Sequence, residues 1–409
     1  MVVIFMKSIQ EFGSRIYQQS FKVAIPILPY RNPKRLCSLQ QLADVLKTEY
    51  KDKVLIVTDP GIVKAGLLKK VTDVLDKAYI DYYVYDQTIP NPTIANIKEA
   101  KAIYEVNGCQ ALIGLGGGSS MDCAKGVGAS IARPDLTIQQ MKGVLKVIKP
   151  LPLLIAIPTT AGSGSETTLA AVITDETTHH KYPINDFVLI PDYALLDPIM
   201  TASLPKHITS TTGMDALTHA VEAYIGKSTT AKTRRQALKA TQLIFANIKQ
   251  AYDDGSNLIV RGNMSDAAYL AGCAFTVSYV GYVHAVAHSL GGKYGIAHGL
   301  ANAVLLPHVL KAYGSTIYPR LSELALAAGL VDESMSQTKA AKRFIEAIEQ
   351  LNASMDIPTK LKGIQAKDIP LMARNAAKEA NPLYPVPVYM NAKQLEQFYY
   401  DVMEENYDS

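Results

Sequence analysis

The chain has 409 residues, 48% hydrophobic and 19% charged, which supplies core for two or more domains and excludes a disordered protein. Its formal net charge of +4 is spread without a Lys- or Arg-rich block, so no nucleic-acid or anionic-membrane footprint is written in it. Cys37, Cys109, Cys123 and Cys273 stand far apart with no ligand or redox spacing, as expected of reduced thiols in a cytoplasmic protein.

The chain opens on an apolar run, MVVIFM, that Lys7 ends short of a signal-peptide core, and no stretch reaches the ~20 apolar residues of a membrane span. Residues 1–21 read as an N-terminal extension. From about residue 22 to 200, short β-branched runs alternate with helical patterns, the signature of βαβ units in a mainly parallel sheet. KVLIVTD is a buried strand, and PGIVKAGLLKKVTDVLDKA a helix opening on proline. The strand YYVYD, the helix TIANIKEAKAIYEVNG, the strand ALIGL, a helix from SSMDCAKG onward and the strand LLIAIPT follow. After LLDPIMTASLP the period changes: from His207 apolar residues recur at helical spacing and strand runs disappear. The expected organisation is an α/β dinucleotide-binding domain over residues 1–205 and an all-helical domain over 206–409, ending in a Pro-rich loop, NPLYPVPVY, and one last helix.

Three consecutive glycines in ALIGLGGGSSMD lie between a strand and a helix, where backbone can approach a pyrophosphate and the helix N-terminus favours its charge. The spacing is not GxGxxG, and a tight turn without a ligand also fits. A second small-residue loop, PTTAGSGSE, follows the next strand. Asp59 ends the first buried strand. There a carboxylate can accept from an adenosine ribose and repel a 2′-phosphate, favouring NAD over NADP, or can simply cap the next helix.

GMDALTHAVEAY puts Asp215 and His219 four apart on one helix face, a half-site for a divalent metal. GYVHAVAHSLGGKYGIAHG adds His284, His288 and His298. Together these are five donors for a site that needs four. HAVAH lacks the glutamate of HExxH, which argues against a zinc peptidase, and Asp and His in place of Cys suit an open catalytic metal rather than a structural zinc. Of the other histidines, His179 and His180 fall in a polar loop with Lys181, His207 caps a helix, and His308 reads as a core residue.

In combination and in this order, GGGSSMDCAKG, PTTAGSGSE, GMDALTHAVEAY and HAVAHSLGGKYGIAHGLANAVLLPHV resemble the iron-containing alcohol dehydrogenase family of the dehydroquinate synthase-like superfamily. The resemblance covers nearly the whole chain after about residue 50 and departs from the family near PILPYRNPKRL. It implies the dehydroquinate synthase-like fold and a metal, Fe²⁺ or else Zn²⁺, held by Asp215, His219, His284 and His298. It leaves His288 off the metal, beside the nicotinamide, to move the proton. It implies that Asp59, Asn91, Gly117, Gly118, Ser119, Thr159, Thr160 and Lys181 contact NAD(H). The activity so implied is hydride transfer between NAD(H) and a small alcohol or aldehyde, with the metal polarising the substrate oxygen, in a cytoplasmic homodimer. Two alternatives use the same residues. A glycerol-type zinc polyol dehydrogenase or a dehydroquinate synthase-like lyase would share the fold, but these usually hold metal with Asp and two His. A nucleotide- and metal-binding protein without turnover would have no use for His288.

Overall fold

Strands whose residues are apolar without interruption must be covered on both faces, and here each face has its own helices. The computed structural model describes residues 2–177 and 180–404. The chain begins with helix α1 (Val2–Ala24), and a parallel sheet follows, built from β1 (Lys34–Leu36), β2 (Lys53–Val57), β3 (Asp81–Tyr85), β4 (Ala111–Gly116), β6 (Leu153–Pro158) and β9 (Tyr193–Leu195). Their order is β1-β9-β6-β4-β2-β3. Alternate residues sort to opposite sides. Leu55, Val57, Leu112 and Leu154 meet α5 (Ile94–Val106) and α6 (Gly118–Ala132); Ile56, Ile113, Leu115 and Ile157 meet α2 (Leu39–Thr48) and α4 (Leu67–Lys77).

The proline-led run after β2 is two helices, α3 (Pro60–Lys64) and α4, parted at Ala65 and Gly66. A second sheet, with no counterpart in the expected elements, joins β5 (Gly143–Val144), β8 (His180–Asn185) and β7 (Ala170–Asp175). Its β7–β8 hairpin puts Lys181 on a strand opposite Thr174, where the sequence suggested a polar loop. His179 lies outside the described residues.

The helical elements that follow are α7 (Lys206–Ile225), α8 (Ala231–Asp253), α9 (Leu258–Ser278), α10 (Tyr282–Tyr294), α11 (His298–Tyr313), α12 (Tyr318–Ala327), α13 (Gln337–Ser354), α14 (Ile369–Ala380) and α15 (Ala392–Val402). From Gly213 to its end α7 is buried all round, as befits a central helix that is apolar on every face but one.

The chain divides into two compact units. One comprises Pro29–Leu204 with Gly255–Ser265; the other comprises Met1–Leu28, Pro205–Asp254 and Asp266–Ser409. The first 28 residues therefore group with the helical unit, not with the α/β domain to which the sequence assigned them. The reason is polar docking. Arg15 donates to the carbonyls of Val386 (2.7 Å) and Pro387, and Gln18 donates to those of Pro382 and Tyr384 (2.7 Å). Among the described residues no single helix is long and apolar enough to cross a membrane.

Candidate metal centre and dinucleotide site

The one polar face of α7 carries Asp215, His219 and Glu222, at intervals of four and three residues that stack them along the helix. All three are buried, at 3%, 4% and 3% exposure. Opposite them α10 brings His284, 2% exposed, and the start of α11 brings the partly exposed His298. One donor atom from each of Asp215, His219, His284 and His298 lies within 4.8 Å of the other three. Asp215 Oδ1 is 3.8 Å from His284 Nε2 and 3.5 Å from His298 Nε2, while His219 stacks on His284 with ring centroids 4.4 Å apart.

These groups fit a divalent cation. His284 Nε2 is buried without a hydrogen-bond partner, an arrangement that costs about 1–3 kcal/mol unless something binds it. Burial, and then the neighbouring His219, His298 and His288, hold the His284 pKa well below its ordinary value, so its imidazole is neutral, the form a metal takes. A set of three imidazoles and one carboxylate suits Fe²⁺ and Zn²⁺ alike.

Two supporting residues went unnoticed in the sequence. Glu222 accepts from His284 Nδ1 at 2.6 Å and from the amides of Gly281 and Val283 at 2.8 Å each, so one side chain caps α10 and aims its histidine. A Cβ on Gly281 would stand 2.7 Å from Glu222 Oε1, which leaves glycine as the residue that admits the carboxylate. Burial pushes the Glu222 carboxyl up to about 7, against the pull of those hydrogen bonds. Asn302, fully buried on α11, donates to Asp215 Oδ1 at 2.7 Å and lies 3.1 Å from His298 Nε2. The available signal was spacing: Glu222 lies three residues beyond His219, and Asn302 four beyond His298.

His288, one turn after His284, has a different environment. Its Nδ1 is 2.6 Å from Glu379 Oε1, and its ring stacks on His298 with centroids 5.1 Å apart. It is absent from the cluster of four donors. His207 is not a cap but the second residue of α7, where its carbonyl accepts from Thr211. His308 is only partly buried and faces Asp401 at 3.9 Å, not an apolar core.

In the α/β unit the candidate cofactor residues collect at the C-terminal ends of adjacent strands. From β2 the chain proceeds to the edge strand β3, then crosses back to β4 on the other side of β2. This is a topological switch point, where open α/β sheets bind ligands. Asp59 follows β2 and serves two partners: Oδ1 caps α3 by accepting from Ile62 N, and Oδ2 accepts from Ser120 Oγ at 2.9 Å. Gly117 caps α6, which Gly118 and Ser119 begin. Gly116, at φ +148°, has no room for a Cβ, which would meet Ser120 Oγ at 2.5 Å. Thr159 N donates to Gly116 O at 2.9 Å, and a Cβ on Gly117 would come within 3.8 Å of Thr160 Cγ2, so the two small-residue loops face each other. Asn91 N donates to Ser119 Oγ, and Lys181 Nζ donates to Asn91 Oδ1 at 2.6 Å. Beneath these loops Lys125 is fully buried, donating to the carbonyls of Ser165, Thr168 and Ala170, and burial lowers its pKa to about 8.

An α/β unit with amide-rich loops at a switch point, and a helical unit with an Asp and three His around one point, describe a metal-dependent nucleotide enzyme. The family models for iron-containing alcohol dehydrogenase and for the Fe-containing alcohol dehydrogenase C-terminal region match residues 36–198 and 209–403. The chain is 39% identical to 1,3-propanediol dehydrogenase of Citrobacter freundii, over 85% of this chain and 90% of that protein. It is 36% identical to NAD-dependent methanol dehydrogenase of Bacillus methanolicus, over 84% and 90%. The crystal structure of 1,3-propanediol oxidoreductase superposes with a TM-score of 0.88 at 35% identity, covering 91% of this chain and 99% of that one. The chain belongs to the iron-containing alcohol dehydrogenase family, a class of oxidoreductases.

Proposed function

We propose that this protein transfers hydride between NAD(H) and a small alcohol or aldehyde, using a divalent metal held by Asp215, His219, His284 and His298. The observation that carries the reading is the convergence of those four donors with His284 Nε2 buried and unsatisfied. The activities of the relatives, a 1,3-propanediol dehydrogenase and an NAD-dependent methanol dehydrogenase, support the substrate class and the cofactor. Fe²⁺ is the occupant the family name favours, and Zn²⁺ the alternative the ligands accept.

When bound, the metal supplies Lewis acidity toward the substrate oxygen and the nicotinamide supplies the hydride acceptor or donor. The protein's part is to hold and to move a proton. Glu222 and Asn302 orient His284 and Asp215, the kind of outer support that fixes ligand tautomer and direction. Gly117, Gly118 and Ser119 offer the α6 N-terminus to the pyrophosphate, flanked by Thr159 and Thr160, while Asn91 and Lys181 complete that rim. Asp59 faces the adenosine ribose and disfavours a 2′-phosphate, giving NAD over NADP. His288 exchanges the alcohol proton, acting as general base in oxidation and general acid in reduction. The chain works as a homodimer in the cytoplasm.

The test separates the two adjacent histidines. His284→Ala loses bound metal and NADH oxidation with short aldehydes together, whereas His288→Ala keeps metal and loses turnover. Metal content is read by elemental analysis after anaerobic purification. Loss of metal from His288→Ala would refute the division of roles.

A further inference from the structure

His288 and its carboxylate neighbour come from helices far apart in sequence. Glu379 sits in the last turn of α14, which packs against α10, and its Oε1 accepts from two donors at once: His288 Nδ1 at 2.6 Å and Tyr384 Oη at 2.7 Å. Tyr384 is buried, and its carbonyl is in turn held by Gln18 of α1 at 2.7 Å. A single carboxylate oxygen thus faces both groups, His288 and Tyr384. An ionised carboxylate only accepts, so the shared proton belongs to His288 Nδ1 and the lone pair of the neutral imidazole to Nε2.

We propose that Glu379, backed by Tyr384 and through it by α1, is the positioning residue for His288, fixing its Nδ1-protonated tautomer and keeping its ring stacked on His298. This rests on the reading of His288 as the proton carrier. In the oxidative direction the alcohol O–H proton passes to Nε2 as hydride leaves for the nicotinamide. The imidazolium so formed lies against a carboxylate already in place, and the proton then passes from Nε2 to water. Without Glu379 nothing holds the proton on Nδ1, and the neutral imidazole is free to shift it to Nε2 by exchange with water. Part of the population then presents an N–H where a base is needed.

The experiment compares Glu379→Ala and the near-isosteric Glu379→Gln, alone and combined with His288→Ala, in zinc-loaded protein. Two readouts are used: ¹⁵N-histidine NMR for the tautomer, and steady-state NADH oxidation. In Glu379→Ala, His288 is expected to populate both tautomers and kcat to fall by at least about tenfold, with the KM for NADH and the metal content unchanged. Glu379→Gln, whose amide oxygen still accepts, is expected to keep the tautomer while losing part of kcat, and it serves alone if the alanine variant does not fold. In the His288→Ala background neither variant lowers kcat further. A persistent single Nδ1–H tautomer and unchanged kcat in Glu379→Ala would overturn the proposal, as would an equal loss of kcat in the absence of His288. A kinetically silent His288→Ala, with the tautomer still lost on removing Glu379, would instead overturn the proton-carrier reading beneath it.

Discussion

Replacing Glu222 by Gln isolates the outer support of the metal centre, because shape is conserved and only one acceptor is lost. In the native protein Oε1 accepts from Val283 N, while Oε2 accepts from Gly281 N and His284 Nδ1. All three are donors, and an amide must turn its NH₂ toward at least one of them. The least disruptive choice puts it at Oε1, leaving the Val283 N–H buried against a second donor, at a cost of about 1–3 kcal/mol. The alternative orientation sacrifices two hydrogen bonds, one of them the bond that aims His284. Metal affinity should therefore fall roughly 10- to 100-fold, the range for removing a partner that orients a ligating histidine. Since the chain contains no tryptophan, urea unfolding of the metal-free protein is followed by far-UV circular dichroism, and zinc affinity by competition with a chromogenic chelator. An unchanged urea midpoint together with unchanged zinc affinity would refute the argument that these three donors depend on one carboxylate.

Asp59→Asn keeps the α3 cap through its amide oxygen, and its amide nitrogen can donate to Ser120 Oγ where the carboxylate accepted from it, so it removes charge with little change of shape. The kcat/KM preference for NADH over NADPH should narrow on the order of tenfold, which initial rates with the two cofactors measure; an unchanged ratio would dismiss the role given to Asp59. Glu166, 2% exposed, has its pKa raised by burial from 4.5 to about 7. Between those values the folded state holds a proton that the unfolded chain has released. The contribution is fully present below the unfolded pKa and is lost as pH rises through the folded one, on the order of 3 kcal/mol. Glu166→Gln should flatten that decline between about pH 5 and about pH 8 in thermal unfolding, and an identical pH slope in both proteins would count against it.

Local pattern alone sufficed for the strands β2, β4 and β6, for the glycine-rich start of α6, and for the pairing of Asp215 with His219, since each depends on a period of two or of about 3.6. The division of the chain into an α/β region and a helical region was legible for the same reason. The β7–β8 hairpin was missed although burial alternates along β7, because residue polarity does not: Ala170, Ala171, Val172 and Ile173 are apolar in succession, and β8 carries Pro183. His284 and His288 show the limit most directly. Four residues apart on α10, they are equivalent by helical spacing, and any rule built on spacing alone would give both to the metal.

What the sequence by itself determined is the inventory: an α/β chain with a pyrophosphate-type turn, a helical chain rich in histidine, and the family motifs that suggest what they do. Only the tertiary structure decided which carboxylate each histidine meets. His284 finds Glu222 62 positions away and His288 finds Glu379 91 positions away, and α1, which looked like an appendage of the α/β domain, braces the loop that carries Tyr384. Periodicity reports the face of an element that a residue occupies. The partner across that face is set by how elements pack, and the role of an imidazole depends on that partner.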